Sequence, residues 1–198
     1  MLLDNKEVSQ SDIIQYKGMS KEITDYHQQT GKETLWTNSM FGGMPAFQIS
    51  VNYTGNLLRY IDKVLALGFP HPSELLFIAL ICFYILLIVL QVNPWLAVAG
   101  AIGYGLSSYT LILLEAGHTS KLHAIGLLPL AVGGILLLRQ GKYWWGAVLT
   151  AVGLSLEIYA NHLQITYYLF LLLLVYAVVE LIYAIKEKHL KNLLITGG

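Results

Sequence analysis

Beyond residue 74 the sequence consists of five long apolar segments, which are separated by short polar connections. A membrane-spanning helix needs about 17–25 mostly apolar residues, and each segment, with its flanks, reaches that length. A soluble core can contain one such segment, but five in succession are typical of a polytopic membrane protein. The sequence therefore predicts membrane spans at about 74–91, 95–114, 122–138, 143–160 and 163–185.

The charged residues divide the chain into two regions. Residues 1–74 hold eight of the twelve acidic residues and six of the twelve basic residues. The charged fraction of the whole chain is 12%, well below the roughly 25% of soluble domains. We expect an extracytoplasmic polar region at 1–72 and a transmembrane bundle at 73–198. The net charge of zero argues against a nucleic-acid partner.

The basic residues of the membrane region predict its orientation. Five of the six lie in two places, at 139–142 and at 186–191. Cytoplasmic connections are enriched in Lys and Arg, so both places are predicted to face the cytoplasm. The extracytoplasmic segments are then 1–72, 115–123 and 160–164. Because no signal-like segment precedes the polar region, we expect a further span before it, in a longer protein.

The polar region is predicted to contain structure of its own. Residues 11–31 have the pattern of a helix that Gly31 ends. The segment 36–50 is rich in turn-forming residues. Residues 56–68 predict an amphipathic helix that lies on the outer membrane surface and leads into the first span.

Ionisable residues are concentrated between the second and third spans, in "LLEAGHTSKLHAIG". They lie at the extracytoplasmic ends of two spans, where charged groups are costly and point to function. The candidate residues of this segment are Glu115, His118, Lys121 and His123. Beside the fourth and fifth spans, Glu157, Asn161, Gln164 and Tyr168 follow one another at intervals of four, three and four residues. On one helix they would form a single polar stripe, with His162 beside it.

Structural explanations compete with a functional one for several of these residues. Glu115 and Lys121 can pair with each other or reach lipid headgroups. Asp12 can be a helix cap. The histidines at 118, 123 and 162 make a divalent metal possible, yet no Cys and no HxxxH spacing supports a metal site, and no cofactor is certain.

Four blocks of the sequence resemble the recurrent blocks of bacterial YfhO-like membrane proteins, in the same order. They are "QSDIIQYKGMSKE", "ETLWTNSMFGGMPAFQIS", "EAGHTSKLHAIGLLPL" and "ANHLQITYY". That family is grouped with membrane glycosyltransferases of the GT-C type. The resemblance implies an all-α polytopic membrane protein with a GT-C-like helical bundle in the bacterial cytoplasmic membrane. It also implies spans before and after this chain, so we expect activity of the longer protein and not of this part alone.

The resemblance implies transfer of a sugar from a polyprenyl-phosphate carrier to a cell-envelope polymer at the outer side of the membrane. The partners would be the lipid bilayer, the polyprenyl-phosphate-linked sugar and the polymer acceptor. The first outer segment of such enzymes carries a catalytic acid, which points to Asp12. The predicted donor-binding residues are Glu115, His118, Lys121, His123, Asn161, His162 and Gln164, with Trp36 and Tyr53 to stack on sugar rings. The alternative is a transporter or a lipid- or polymer-handling scaffold without catalysis.

Overall fold

The computed structural model of the chain describes residues 10–50 and 55–186. These residues are predominantly helical, which confirms the predicted all-α class. Their nine α-helices are α1 (Ser11–Met19), α2 (Lys21–Thr30), α3 (Leu58–Leu65), α4 (Ser73–Val89), α5 (Pro94–Gly105), α6 (Ser108–Ala116), α7 (Thr119–Arg139), α8 (Tyr143–Tyr159) and α9 (Leu163–Lys186). The remaining elements are the antiparallel strands β1 (Trp36–Thr37) and β2 (Met44–Pro45) and a short 3-10 helix at Ala46–Gln48.

The chain forms two compact units. Of the described residues, the N-terminal unit contains 10–50, 55–57 and 115–118, and the helical unit contains 58–114 and 119–186. Helix α3 therefore belongs with the later helices. The short segment 115–118, which begins with the last two residues of α6, belongs with α1 and α2. The division predicted at residues 72 and 73 rests on the expected membrane boundary and stays a prediction.

Two helices of the described residues are long and apolar enough to cross a membrane. They are α7, with 21 residues, and α9, with 24 residues. Helices α5 and α6 provide a third candidate span if they are counted together, although they are bent by 42° at their junction. Helix α4 is apolar but has only 17 residues. The structure thus supports a membrane protein with two or three candidate spans where the sequence predicts five.

The second predicted span is broken where the sequence predicts one continuous helix. Its break lies at Leu106 and Ser107, and the backbone N–H of Thr110 donates a hydrogen bond to Ser107 Oγ over 3.3 Å. A serine side chain that binds the amide three residues later caps a new helix N-terminus. The prediction of a single helix over 95–114 is therefore wrong, because α5 ends before Ser107 and α6 begins after it.

The helical unit is held together by helices that approach one another closely at glycines. A Cβ atom on Gly153 of α8 would lie 2.6 Å from the backbone nitrogen of Ala131 in α7. A Cβ atom on Gly146 would lie 2.6 Å from the backbone nitrogen of Leu138. Small residues at such positions let the backbones of two apolar helices pack directly. Around them lies a core of Ile78, Cys82, Leu127, Leu130 and Leu156.

Polar contacts join the C-terminal ends of α4, α7 and α9. Nε2 of Gln140, after α7, donates a hydrogen bond to the backbone oxygen of Val89 at the end of α4 (2.8 Å). Nε of Arg139 lies 2.7 Å from Oε2 of Glu180 in α9. These ends therefore lie on the same side of the helical unit, as alternating membrane spans would require. Lys188 and Lys191, which are predicted to be cytoplasmic, lie outside the described residues.

In the N-terminal unit, the helix predicted over 11–31 is interrupted at Ser20. The Ser20 hydroxyl donates a hydrogen bond to the backbone oxygen of Tyr16 (2.8 Å), and α1 ends at Met19 with Ser20 as its C-cap. A serine hydroxyl that binds its own backbone in this way competes with helix continuation. The predicted helix end at Gly31 is confirmed, because Gly31 adopts a left-handed conformation with φ of 66° and terminates α2.

Glu22 fastens α2 to the segment that follows β1. Its Oε2 atom accepts hydrogen bonds from the Thr37 hydroxyl (2.6 Å) and from the backbone N–H of Asn38 (2.9 Å). Thr37 is completely buried. These hydrogen bonds, above all that of Thr37, lower the pKa of Glu22 from its usual 4.5.

We expect Glu22→Gln to remove a pH dependence from the N-terminal unit. Because the folded-state pKa of Glu22 is lowered, its stabilising contribution is present above pH 4.5 and is lost as the pH falls through the folded-state pKa. The protection factor of the Asn38 amide against hydrogen exchange, which corrects for the pH dependence of the intrinsic rate, should fall on acidification in the native protein and depend less on pH in Glu22→Gln. Asp25→Asn, on an exposed position of α2, is the matched control and should retain the native pH profile.

Candidate functional site

Asp12 and His118 form an ion-pair geometry in the N-terminal unit. Nδ1 of His118 lies 2.8 Å from Oδ2 of Asp12, and the two side chains are 50% and 42% exposed, respectively. Asp12 lies in the first turn of α1, and the N-cap position belongs to Gln10. The interpretation of Asp12 as an N-cap is therefore wrong. The pair places a carboxylate and an imidazole, the two commonest proton-transfer groups, together at an accessible position.

Gly117 brings His118 to the first turn of α1. Its φ of 88° is a left-handed value that side-chain-bearing residues rarely adopt. A Cβ atom at this position would lie 3.0 Å from Cβ of Gln10 and 3.3 Å from Cγ1 of Ile13. Only glycine satisfies both the backbone conformation and the close approach. The glycine of the "EAGH" sequence therefore positions the imidazole beside Asp12.

We expect Gly117→Ala to destabilise the contact between residues 115–118 and α1. A left-handed backbone conformation costs a residue other than glycine about 1–3 kcal/mol, and the added methyl also meets Gln10. Hydrogen exchange of the α1 amides should accelerate. Gly18→Ala in α1 is the matched control, because nothing lies within 4 Å of its Cβ position. That control should stabilise α1 by about 0.5–1 kcal/mol, and equal exchange in both variants would contradict the role of Gly117.

Two other predicted residues are exposed in the N-terminal unit. Glu115 lies in the last turn of α6. Trp36 is 54% exposed, and its indole packs on Gly43, where a Cβ atom would lie 2.7 Å from Nε1. The indole is thereby fixed while part of its surface stays accessible, as stacking on a sugar ring would require. Tyr53 lies outside the described residues.

In the helical unit, His123 is bonded to an acid that sequence reasoning did not select. Its Nε2 atom lies 2.8 Å from Oδ1 of Asp62 in α3, and the two side chains are only 13% and 20% exposed. The pair joins α3 to α7. Asp62 lies on the polar face of the amphipathic α3, which looks like an ordinary solvent-facing position in the sequence. Only the packing of α3 reveals its partner.

Lys121 lies in the first turn of α7. Its Nζ atom is 5.6 Å from the centre of the Tyr109 ring, which is within the range of a cation–π contact. The lysine is partly exposed. Its ammonium group therefore has an aromatic neighbour in the helical unit while it remains accessible to an anion.

The polar stripe predicted for Glu157, Asn161, Gln164 and Tyr168 is wrong. Helix α8 ends at Tyr159, and Asn161 turns the chain with a positive φ of 55° before α9 begins. The four residues consequently do not share one helix: Glu157 lies in α8, Asn161 in the turn, and Gln164 and Tyr168 in α9. Gln164 and Tyr168 are exposed, and Nε2 of Gln164 donates to the Tyr168 hydroxyl (2.8 Å).

Glu157 has a different environment from the rest of that set. It is completely buried, and its Oε1 atom accepts a hydrogen bond from the Thr166 hydroxyl of α9 (3.0 Å). This bond spans the α8–α9 turn that contains Asn161 and His162. The backbone oxygen of His162 accepts bonds from the backbone N–H groups of both Ile165 and Thr166, at the start of α9.

The beginning of α7 and the α8–α9 turn lie at the same end of the helical unit. Ala124 of α7, Ala160 and Ile165 belong to one buried cluster, together with Ala66 after α3. Lys121 and His123 are therefore at the end of the unit that also holds Asn161, His162 and Gln164. A direct approach of Lys121 to Asn161 or His162 stays a prediction.

The described part of the chain offers no ready-made metal site. Within residues 10–50 and 55–186, no group of three or more His, Cys, Asp and Glu side chains is arranged to hold a metal ion. The described acid–histidine contacts at Asp12 and at Asp62 are pairs. A divalent metal would need further ligands, such as the phosphate of a bound substrate.

No family model, no curated protein and no solved structure matches the chain. The resemblance to YfhO-like proteins accordingly stays a prediction.

Proposed function

We propose that the protein is a membrane glycosyltransferase that moves a sugar from a polyprenyl-phosphate carrier to an extracytoplasmic cell-envelope acceptor. The observation that carries this proposal is the contact of 2.8 Å between Asp12 and His118. It joins the acid implied by the resemblance to YfhO-like proteins with a histidine of the "EAGHTSKLH" block. Both side chains are about half exposed, so a substrate can reach them.

The transfer replaces the bond between the sugar and the carrier phosphate by a bond to an acceptor hydroxyl. The oxygen of the acceptor hydroxyl bonds to the anomeric carbon of the sugar, and Asp12 accepts the proton of that hydroxyl. The phosphate leaves with the electrons of the broken bond and gains negative charge. His118 orients the Asp12 carboxylate, and a positioned base of this kind contributes typically about 10²–10⁴-fold to the rate.

Cations and hydrogen-bond donors stabilise the charge of the leaving phosphate. Lys121 follows His118 by three positions in the chain and supplies an ammonium group. His123 is held by Asp62, and we assign it the role of fixing the first turns of α7. Trp36 stacks on a sugar ring. The remaining proposed donor contacts are Glu115, Asn161, His162 and Gln164.

The proposed setting is a bacterial cytoplasmic membrane that the chain crosses five times, with residues 1–72 outside. Helices α4, α5 with α6, α7, α8 and α9 coincide with the five predicted spans. The ends of α4, α7 and α9 that meet through Gln140 and Arg139 would face the cytoplasm. The opposite end, with Asp62, His123 and the α8–α9 turn, would face outward.

A transporter is the second candidate, and the buried carboxylate of Glu157 favours it. Ionisable groups buried among membrane helices often mark ion or substrate pathways. Transporter sites, however, usually lie near the middle of the membrane. Glu157 is two positions before the end of α8 at Tyr159, which fits a site at the membrane surface better. The glycosyltransferase is therefore the preferred function.

The test uses the protein produced from its complete reading frame in membrane vesicles. These are supplied with polyprenyl-phosphate sugars that carry a radioactive label in the sugar. The proposal predicts that the carrier phosphate is released and that the label moves to a polymer. Uptake of label with an intact sugar–phosphate bond would favour the transporter, and the absence of release with every donor would overturn the enzyme.

A further inference from the structure

The segment 35–47 of the N-terminal unit presents large apolar side chains to its surroundings. Leu35 is 84% exposed, Phe41 is 87% exposed and Phe47 is 57% exposed. We propose that this apolar tip, defined by these three side chains, inserts into the lipid bilayer. Sugar transfer is not needed for this insertion, so the proposal stands or falls independently of the proposed function.

The tip is held in a fixed conformation by the strand pair and its turn. Strands β1 and β2 pair Trp36 with Pro45 and Thr37 with Met44. The backbone N–H of Gly43 donates to the oxygen of Met40 over 2.8 Å. The bonds from Thr37 and Asn38 to Glu22 fasten this hairpin to α2. Phe41 thus projects from a defined turn, while Leu35 and Phe47 flank the two strands, where the backbone N–H of Ala46 donates to the oxygen of Leu35 over 3.0 Å.

Phe41 occupies an unusual backbone conformation for an aromatic residue. Its φ of 52° lies in the left-handed region, which large side chains avoid. Such conformations cost stability and concentrate at functional positions. The turn that carries this exposed ring therefore contains backbone strain.

The absence of charged residues from the segment that carries the tip favours lipid over a protein partner. The sequence contains no Asp, Glu, Lys or Arg between Glu33 and Arg59. Protein interfaces normally surround their apolar centre with a polar rim. An uncharged segment with phenylalanine and tryptophan instead suits the membrane interface, where aromatic rings are enriched.

The chain's connectivity keeps a bilayer within reach of the tip. The helical unit, which contains the candidate membrane spans, begins at Leu58, 11 positions after Phe47. A chain of that length spans at most about 40 Å when fully extended. A bilayer around spans of the helical unit would therefore be within the reach of the linking chain.

The experiment measures where the tip lies in proteoliposomes. A single cysteine replaces Phe41 in a Cys82→Ala background and carries an environment-sensitive fluorophore. The acyl chains of the phosphatidylglycerol and phosphatidylethanolamine vesicles carry nitroxide quenchers. Gln29→Cys, at an exposed position of α2, is the matched control. Insertion predicts that the label at Phe41 is quenched by the lipid nitroxides and protected from aqueous iodide. The label at Gln29 should be quenched by iodide and not by the lipid nitroxides.

A second pair of variants tests the contribution of Phe41 itself, with the fluorophore at another position of the tip. With the fluorophore at Leu35→Cys, the added substitution Phe41→Glu should strongly reduce quenching by the lipid, because a charged tip no longer enters the bilayer. Lipid quenching at Leu35 that Phe41→Glu leaves unchanged would overturn the proposal. Free access of iodide to the Phe41 label would also overturn it. Protection from both quenchers would overturn it in favour of a second protein copy that covers the tip.

Discussion

Asp12→Asn is expected to lower the rate of sugar transfer by about 10²–10⁴-fold while the protein stays folded. Asparagine keeps the shape of the side chain and an oxygen that can accept a hydrogen bond from His118, but it cannot take a proton from a hydroxyl. The native pair is about half exposed, and exposed ion pairs contribute only about 0–1 kcal/mol. A stability effect is therefore too small to account for such a loss.

Two further variants test whether the loss of transfer is specific to the removal of the Asp12 carboxylate. Lys121→Ala should mainly raise the KM for the lipid-linked donor, because its ammonium group would contact a phosphate that is charged before the reaction begins. Asp25→Asn removes an exposed acid of α2 and should leave transfer unchanged. Normal transfer by a well-expressed Asp12→Asn protein would reject the catalytic role and leave Asp12 as one member of a surface ion pair.

The sequence predicts the helices of this chain better than their interruptions. Hydrophobicity and length suffice for the long helices, and Gly31 ends α2 as predicted because a left-handed C-cap favours glycine. Ser20 and Ser107 interrupt predicted helices through hydrogen bonds of their hydroxyls. A serine looks the same in a sequence whether its hydroxyl caps a helix or faces solvent, so neither break could be predicted.

The candidate site shows a similar limit. Asp12 and His118 are both selected at the level of sequence, by resemblance and by their predicted place outside the membrane. Their contact depends on the close passage of Gly117 against α1, which no periodicity encodes. Asp62 was missed because the polar face of α3 has the pattern of a solvated surface, although its carboxylate is bonded to His123.

Small residues predict helix contacts only in part. The second predicted span contains two rows of small residues that each repeat every four positions. The row of Ala97, Ala101 and Gly105 is buried, whereas Ala99 and Gly103 of the other row are exposed. Spacing alone cannot distinguish the two rows, because each repeats every four residues. The closest helix approach of the helical unit lies elsewhere, between α7 and α8, where Gly134, Gly146 and Gly153 meet the facing backbone.

The close approach of α7 and α8 gives Gly153→Ala a large expected effect on stability. Replacing glycine by alanine in a helix normally stabilises it by about 1 kcal/mol. At Gly153 the new methyl would lie 2.6 Å from the nitrogen and 2.8 Å from Cα of Ala131, which are backbone atoms that no side-chain rotation can move. Helix α7 would have to shift, and overpacking of this kind typically costs about 1–3 kcal/mol.

Gly103→Ala in α5 is the control for this prediction, because nothing lies within 4 Å of the Cβ position of Gly103. Unfolding in detergent should show Gly103→Ala to be as stable as the native protein or more stable, and Gly153→Ala to be clearly less stable. Gly134→Ala should resemble Gly153→Ala, since its methyl would collide with the backbone nitrogen of Thr150. If Gly153→Ala were instead as stable as Gly103→Ala, the backbones of α7 and α8 would have to lie farther apart than they do here. In that case apolar side chains, and not the glycines, would hold α7 against α8.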